Sequence, residues 1–212
     1  MRPASGFSTL SKIIIGGSLA LIVVLVAAVL LRPQPQGPSI AQPMGSAAIG
    51  GEFTLTDDSG ETFTDEDLKG KASLIYFGYT YCPDVCPYSL QAMKAALGQL
   101  GEGEREQFRT VLISVDPERD TVDALHQYVQ SEAFPEGLIG LTGTAEQVDA
   151  AKAAYKVYSA KVEDEGSSAQ YLVDHTSLIF LMGKDGEVVS AFTHQEPPET
   201  IAKGLRDYIA AQ

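Results

Sequence analysis

The chain contains two cysteines, Cys82 and Cys86, separated by three residues in the stretch GYTYCPDVCP. Two cysteines in a chain of 212 residues do not form a disulfide framework, and a bridge between residues this close would stabilise the fold little. Their thiol chemistry is therefore the better explanation for the pair. The spacing lets both sulfurs converge on one metal ion, and it also permits a disulfide within the loop. Two soft thiolates favour Cu(I), whereas structural zinc usually takes four ligands.

The elements around the cysteines place them at the junction of a strand and a helix. Residues 72–79 form a nearly continuous apolar run, which is typical of a central strand covered on both faces. Residues 87–100 show apolar residues at helical spacing, and Pro87 is suited to a first helical turn. Binding groups collect where the strands of an open α/β sheet end, and the positive end of the following helix lowers a cysteine pKa. The sequence therefore predicts a reactive, redox-active thiol pair here.

The rest of the chain alternates strands and helices. Strands are predicted over residues 52–55, 61–63, 109–115, 138–141, 157–162, 171–173, 177–182 and 187–192. Helices are predicted over residues 122–130, 145–155 and 197–211. This order predicts an α/β fold with a central sheet flanked by helices.

Histidine is scarce, and each of the three histidines is a candidate for a third ligand. His126 falls in a predicted helix, where a solvated surface position is the default interpretation. His194 follows a predicted strand and fits either a surface residue or an accessory ligand. His175 lies between two predicted strands in the stretch YLVDHTS, and a histidine in such a place is more often structural than a ligand. The residues alone leave this choice open.

Other polar residues near these candidates have two interpretations each. Asp174 either orients the loop of the neighbouring histidine or forms a turn. Asp116 and Asp120 either approach the site from a neighbouring strand end or build a loop and cap a helix. Met93 fits a core stripe better than a ligand position.

A long apolar segment precedes the predicted domain. Residues 13–31 contain no charge, and at about 1.5 Å per residue they nearly match a hydrocarbon core of about 30 Å. The run is longer than the apolar part of a cleaved signal peptide, so we predict a single transmembrane anchor, with cleavage near residues 45–48 as the alternative. Arg2 and Lys12 favour a cytoplasmic segment over residues 1–12 and a translocated domain.

The segment that follows the predicted anchor is rich in Pro, Gly, Gln and Ser. This composition predicts a flexible tether over residues 32–49 and a folded domain over residues 50–212. An Arg- and Ser-rich transit peptide is not evident in the sequence. We therefore expect a bacterial inner membrane with the domain in the periplasm, rather than a mitochondrial inner membrane with the domain in the intermembrane space.

The net charge excludes one class of partner. The formal charge is −13, although residues 1–50 carry three basic residues and no acidic one, so the predicted domain is strongly acidic. Phosphate repels such a surface, which argues against a nucleic-acid partner. The charge would suit a cationic partner, and it also serves solubility.

Three stretches, GYTYCPDVCP, SVDPERDT and YLVDHTS, occur in this order and closely resemble the Sco/SenC family of copper-binding cytochrome oxidase assembly proteins. The resemblance covers roughly residue 49 to the C-terminus, and it implies a thioredoxin-like fold. By this resemblance the copper ligands are Cys82, Cys86 and His175, for Cu(I), Cu(II) or both. Some relatives carry histidine where this chain has Tyr81, and that position is not one of the three family ligands.

The resemblance implies a copper metallochaperone that delivers the ion to the binuclear copper site of cytochrome c oxidase subunit II. The same two sulfurs would also serve a thiol–disulfide oxidoreductase that reduces the cysteines of the client. A copper or redox sensor is a third hypothesis. Exchange between disulfides does not require His175, whereas the implied copper site does.

Overall fold

In the computed structural model of the chain, which describes residues 49–163 and 170–212, the largest unit is a mixed sheet of seven strands. These strands are β1 (Thr54–Asp57), β2 (Thr62–Thr64), β3 (Ala72–Gly78), β4 (Phe108–Ser114), β5 (Ile139–Thr142), β8 (Leu178–Met182) and β9 (Val188–Thr193). Their order across the sheet is β2-β1-β5-β4-β3-β8-β9. β4 lies parallel to both β3 and β5, and the other neighbours are antiparallel.

Two further strands, β6 (Ser159–Glu163) and β7 (Tyr171–His175), pair with each other in an antiparallel hairpin. Neither strand shares a ladder with the seven-stranded sheet in the described part of the chain. The sequence predicted that the second strand ends at residue 173, but the ladder continues to His175, which lies opposite Ser159. His175 is therefore a strand residue and not a loop residue.

Five helices connect or follow the strands of the described ranges. They are α1 (Val85–Gly98), α2 (Glu102–Arg105), α3 (Val122–Val129), α4 (Ala145–Ala154) and α5 (Pro198–Ala210). α1 packs against α5 and β3, α3 packs against β5, and α4 packs against β1. The predicted architecture, a central mixed sheet flanked by helices, is confirmed.

The start of α1 differs from the prediction in a way that matters for the cysteines. The helix begins at Val85, two residues before the predicted start, and therefore includes Cys86. Pro87 occupies the third helical position, where its missing N–H costs nothing because first-turn donors have no partner within the helix. The single turns α2 and Asp65–Leu68, the latter a 3-10 helix, were not predicted because they are too short for a periodic pattern.

β3 is the structural centre of the sheet. All seven of its residues are buried, as expected for a strand that has neighbours on both sides and apolar layers on both faces. Because β3, β4 and β5 are parallel, their carboxyl ends lie at one edge of the sheet. β8 is antiparallel to β3, so the residues that precede Leu178 arrive at this same edge.

The predicted anchor over residues 13–31 and the tether up to residue 48 lie outside the described residues. Within residues 49–163 and 170–212, no helix combines the length and the apolar character needed to cross a bilayer. The domain boundaries inferred from the sequence stay predictions.

Gly78, the last residue of β3, allows a close approach that no other residue would permit. A Cβ atom at this position would lie 2.9 Å from Tyr76 Cε1 and 3.0 Å from Cys86 Sγ. Both neighbours are completely buried, so neither can move aside into solvent. The strand thus ends in a glycine because the Cys86 sulfur occupies the space of its side chain.

We predict that Gly78→Ala destabilises the full chain by about 1–3 kcal/mol, since overpacking of a dense core costs this much. The matched control is Gly98→Ala at the end of α1, where an added Cβ meets no atom within 4 Å. That change should leave stability unchanged or raise it by up to about 1 kcal/mol, because alanine favours the helix. Urea unfolding of both variants measures the difference, and equal stabilities would contradict the steric argument.

Candidate metal centre

Cys82, Cys86 and His175 converge at the carboxyl edge of the sheet. One donor atom from each residue lies within 4.8 Å of the other two. Cys86 Sγ is 3.4 Å from His175 Nε2, although 89 residues separate the two along the chain. The structure therefore brings together all three residues that the sequence and the resemblance selected.

The two thiols differ in burial because they occupy different elements. Cys86 lies in the first turn of α1 and is 0% exposed, packed beneath the end of β3. Cys82 lies in the preceding loop, where its N–H donates to the Tyr79 carbonyl at 3.3 Å, and it is half-buried. Both are free thiols in this structure, and Cys82 provides the accessible side of the pair.

The environment also separates the acidities of the two thiols. The Cys86 thiol donates to the Cys82 sulfur, and this hydrogen bond, helped by His175 and by the Cys86 N–H at 3.3 Å, lowers the pKa of Cys82 to about 4. Burial raises the pKa of the Cys86 thiol well above its usual range, and the adjacent Cys82 charge raises it further. In the reduced, metal-free protein Cys82 is therefore a thiolate at neutral pH, and Cys86 is protonated.

The imidazole of His175 is fixed in orientation by its neighbours. Nδ1 lies 3.1 Å from the Thr176 carbonyl, which only accepts, so Nδ1 carries a proton and Nε2 is the ring nitrogen that faces the sulfurs. Tyr76 and Tyr79 stand edge-on to the ring, each with its centroid 5.9 Å away. The backbone and two aromatic rings thus set the ring plane before any ion binds.

A buried carboxylate supports the loop that carries Cys82. Asp120 is 0% exposed. Its Oδ1 accepts from Thr80 Oγ1 at 2.6 Å, and its Oδ2 accepts from Ser114 Oγ at 2.6 Å. Thr80 precedes Cys82 by two residues, so Asp120 ties the start of the loop to the end of β4. Burial raises the pKa of Asp120, and the hydrogen bonds from Ser114 and Thr80 oppose that rise.

The other residues considered as ligands lie away from the three donor atoms. His126 is 53% exposed on α3, next to Asp58 and Gln130, as expected for a solvated helix face. His194 follows β9 and does not belong to the donor group. Met93 is completely buried in the core, as predicted.

The structure also decides between the alternative roles of Asp116, Asp120 and Asp174. Asp174 does not form a turn, because it lies within β7 opposite Ala160, and it is exposed. Asp120 does not cap α3; Thr121 does so, and its side chain accepts from the Ala124 N–H at 3.2 Å. Asp116 accepts from Tyr171 Oη at 2.9 Å and pairs with Arg119.

Sequence reasoning missed the aromatic and cationic residues around the site. The sequence pattern placed Tyr76 and Tyr79 in a buried strand and Arg119 in a charged loop. The Arg119 guanidinium lies 3.7 Å from the Tyr171 ring centroid and 4.8 Å from that of Tyr81. The one available signal was the run DPERDT directly after a buried strand, since charges at a strand end need partners.

The donor set fits copper on chemical grounds. A thiolate, a thiol that can lose its proton and an imidazole nitrogen face one point from separate elements. Soft sulfur ligands suit Cu(I), and the added imidazole lets the same site accept Cu(II). No fourth His, Cys, Asp or Glu joins this group in the described residues, so the arrangement is more open than a structural zinc site.

A protein-family model described as SCO1/SenC matches residues 41–210 of the chain. The chain is 40% identical over 170 residues to the mitochondrial Protein SCO1 homolog 1 of Arabidopsis thaliana, covering 80% of this chain and 48% of that protein. It thus spans about half the length of that relative. It is 35% identical over 202 residues to the SCO2-like protein of Rickettsia felis, covering 94% of this chain and 97% of that protein.

Solved structures show the same likeness. The structure of Bradyrhizobium japonicum ScoI with copper bound superposes with a TM-score of 0.67 at 43% sequence identity, covering 76% of this chain and 99% of that one. Fold, sequence and family model agree, and the resemblance inferred from three short stretches is confirmed. The chain belongs to the SCO1/SenC family.

Proposed function

We propose that this chain binds copper through Cys82, Cys86 and His175 and carries it during the assembly of cytochrome c oxidase. The observation that carries the proposal is the convergence of the three donor atoms within 4.8 Å at one edge of the sheet. The copper-bound state of the related ScoI supports the choice of ion. The ion is cargo in this proposal, so the site must release it as well as hold it.

The unequal burial of the ligands favours release toward one side. Cys86 is fully buried, whereas Cys82 and His175 are half-buried and reachable from solvent. Incoming ligands of a client would therefore replace Cys82 or His175 first and Cys86 last. Three protein ligands with an accessible rim permit such stepwise exchange, which a closed cage of four would resist.

The client in this proposal is the binuclear copper site of cytochrome c oxidase subunit II. A transmembrane anchor over residues 13–31 and a tether over residues 32–49 would hold the domain, residues 50–212, near such a membrane-bound client. The Rickettsia felis relative aligns with 94% of this chain, which supports a bacterial protein, and the apolar run over residues 13–31 supports an inner-membrane anchor with a periplasmic domain. The strongly acidic domain would also match a basic face on the client.

We predict that Cys82→Ala, Cys86→Ala and His175→Ala each remove the thiolate-to-Cu(II) charge-transfer band of the copper-loaded protein or weaken it strongly. Loss of one ligand from three leaves a site that cannot hold Cu(II) in the same geometry. Absorbance and metal content measure the effect. His126→Ala is the matched control, because His126 is exposed and bonded to Asp58 and Gln130, away from the donor group. A band that survives in His175→Ala would contradict the ligand assignment.

A second function, thiol–disulfide exchange with the client, is favoured by the low pKa of Cys82. A thiolate at neutral pH is the attacking form in such exchange, and Cys82 is the more accessible sulfur. Attack on a client disulfide would form a bond from Cys82 Sγ to one client sulfur and release the other as a thiolate. Cys86, once deprotonated, would then displace the second client thiolate and close a disulfide with Cys82.

We predict that the thiolate absorbance of the reduced, metal-free protein falls by half at a pH of about 4, the pKa of Cys82. In Cys86→Ala the midpoint should move to higher pH, because the main donor to the Cys82 sulfur is gone. The pKa of Cys82 in the folded protein lies below its usual value of 9.0, so ionisation of Cys82 increases the free energy of unfolding. This contribution reaches its full value above pH 9.0. That contribution declines as the pH falls toward 4. A midpoint unchanged by Cys86→Ala would contradict this account.

His175→Ala separates the two functions. We expect the variant to lose delivery of copper to a reduced client fragment of subunit II while it still reduces the disulfide of the oxidised fragment. Copper content of the two proteins after mixing and separation measures delivery, and thiol titration of the fragment measures reduction. Normal copper delivery by His175→Ala would overturn the three-ligand carrier, and normal oxidase assembly without delivery would favour the thiol reductase.

A further inference from the structure

The three ligands come from two parts of the fold that share no ladder within the described residues. Cys82 and Cys86 lie between β3 and α1 of the large sheet, whereas His175 ends β7 of the separate hairpin. β8 of the large sheet begins three residues after His175 and places the C-terminal side of this residue, whereas the hairpin side is placed by contacts between the hairpin and the body of the domain. These contacts help to keep the third ligand in place.

Besides the contacts of His175 itself, β7 is attached to the body at Tyr171 and Val173. The Val173 N–H donates to Tyr79 Oη at 3.1 Å, and Tyr79 follows the end of β3 directly. Tyr171 is held more extensively, since its carbonyl accepts from Arg119 Nη1 at 3.0 Å and its hydroxyl donates to Asp116 Oδ1 at 2.9 Å. Both attachments lie within four residues of His175 on the same strand.

Arg119 lies at the contact between the two parts. Its guanidinium is 3.7 Å from the Tyr171 ring centroid on the hairpin, and 4.8 Å and 5.7 Å from those of Tyr81 and Tyr79 on the cysteine side. Its side chain is only 15% exposed, so these cation–π contacts are little weakened by solvent. One planar cation thus touches both the loop that leads to Cys82 and the strand that carries His175.

Asp116 fixes Arg119 in this place. Its Oδ2 accepts from Arg119 Nε while its Oδ1 accepts from Tyr171 Oη, and its side chain is 0% exposed. Its own N–H donates to Ser114 Oγ at 3.0 Å, which ties the group to the end of β4. A buried carboxylate with two donors of fixed geometry holds both the cation and the tyrosine in one arrangement.

We propose that Arg119 is a positioning residue that holds β7 against the cysteine loop and thereby keeps His175 within reach of the sulfurs. The inference rests on the proposed copper function and deepens it. The imidazole is the ligand that suits Cu(II), whereas two sulfurs suffice for Cu(I). Arg119 therefore sets the preference of the site between the two oxidation states through the position of the imidazole.

The cysteine side has its own supports, which makes the effect selective. Cys86 is held by α1 and by the space above Gly78, and the loop before Cys82 is held by Asp120 through Thr80. None of these contacts involves the hairpin. Weakening the hairpin attachment should therefore displace the imidazole and leave the sulfur pair in place.

The test compares Arg119→Lys and Tyr171→Phe with the control Lys161→Gln, each in the full chain. Arg119→Lys keeps the charge but loses the planar fork that reaches Asp116 and Tyr171 together. Tyr171→Phe keeps the ring and removes only the hydroxyl that donates to Asp116. Lys161 also lies over the Tyr171 ring, at 4.5 Å, but its side chain is 46% exposed and its ion pair is with the exposed Glu118.

We expect Arg119→Lys to lower the Cu(II) affinity roughly 10–100-fold, as loss of a supporting contact does at other metal sites, and to weaken the Cu(II) charge-transfer band. The Cu(I) affinity should change by no more than about 3-fold, because the two sulfurs dominate Cu(I) binding. Tyr171→Phe should act in the same direction with a smaller effect, and Lys161→Gln should match the wild type. Competition titrations with Cu(I) and Cu(II) chelators measure both affinities, and equal losses for both ions, or no loss, would overturn the proposal.

A second measurement, on the metal-free protein, tests the attachment of the hairpin independently of copper binding. Hydrogen exchange at the Val173 amide, which bonds to Tyr79, should be faster in Arg119→Lys and unchanged in Lys161→Gln. An unchanged exchange rate in Arg119→Lys would refute the attachment even if copper binding is normal. Failure of the wild type to bind copper, with the exchange result as expected, would refute the proposed function instead.

Discussion

The site depends on one buried carboxylate at the carboxyl edge of the sheet. Asp120 joins the end of β4, through Ser114, to the start of the cysteine loop, through Thr80, and its backbone carbonyl accepts from Thr142 at the end of β5. A buried carboxylate without such hydrogen-bond donors would be strongly destabilising. Asp120 therefore requires these donors, and its hydrogen bonds in turn hold the cysteine loop in place. The ends of the three parallel strands β3, β4 and β5 are thereby held together, and their arrangement sets the position of Cys82.

The second constraint is space at the end of β3. Gly78 leaves room for the Cys86 sulfur, and the rings of Tyr76 and Tyr79 leave a slot for the imidazole. The most buried ligand, Cys86, therefore lies in a helix and packs against the end of β3. The accessible ligands, Cys82 and His175, belong to a loop and to a hairpin end, which suits a site that must exchange its ion.

Much of the fold could be predicted from hydrophobic pattern and turn residues. The buried run of β3 and the strands predicted over residues 177–182 and 187–192 carry local signals, and the structure contains each of these elements as β3, β8 and β9. The hydrophobic pattern gave wrong element boundaries where contacts with other elements set them. His175 joined β7 because the partner strand β6 extends to Ser159, and α1 gained Cys86 because Pro87 is compatible with a position inside the first turn.

The sequence by itself determined the reactive pair, because the spacing of Cys82 and Cys86 after a buried strand is a local property. It also determined the family, through three short stretches that include His175. Only the tertiary structure shows that His175 reaches the site from a hairpin separate from the main sheet. It also shows that Asp120 supports the cysteine loop and that Arg119 supports the hairpin. The physical reason is that a charge is stabilised in a protein interior by partners distant in sequence, and such partners leave no periodic pattern.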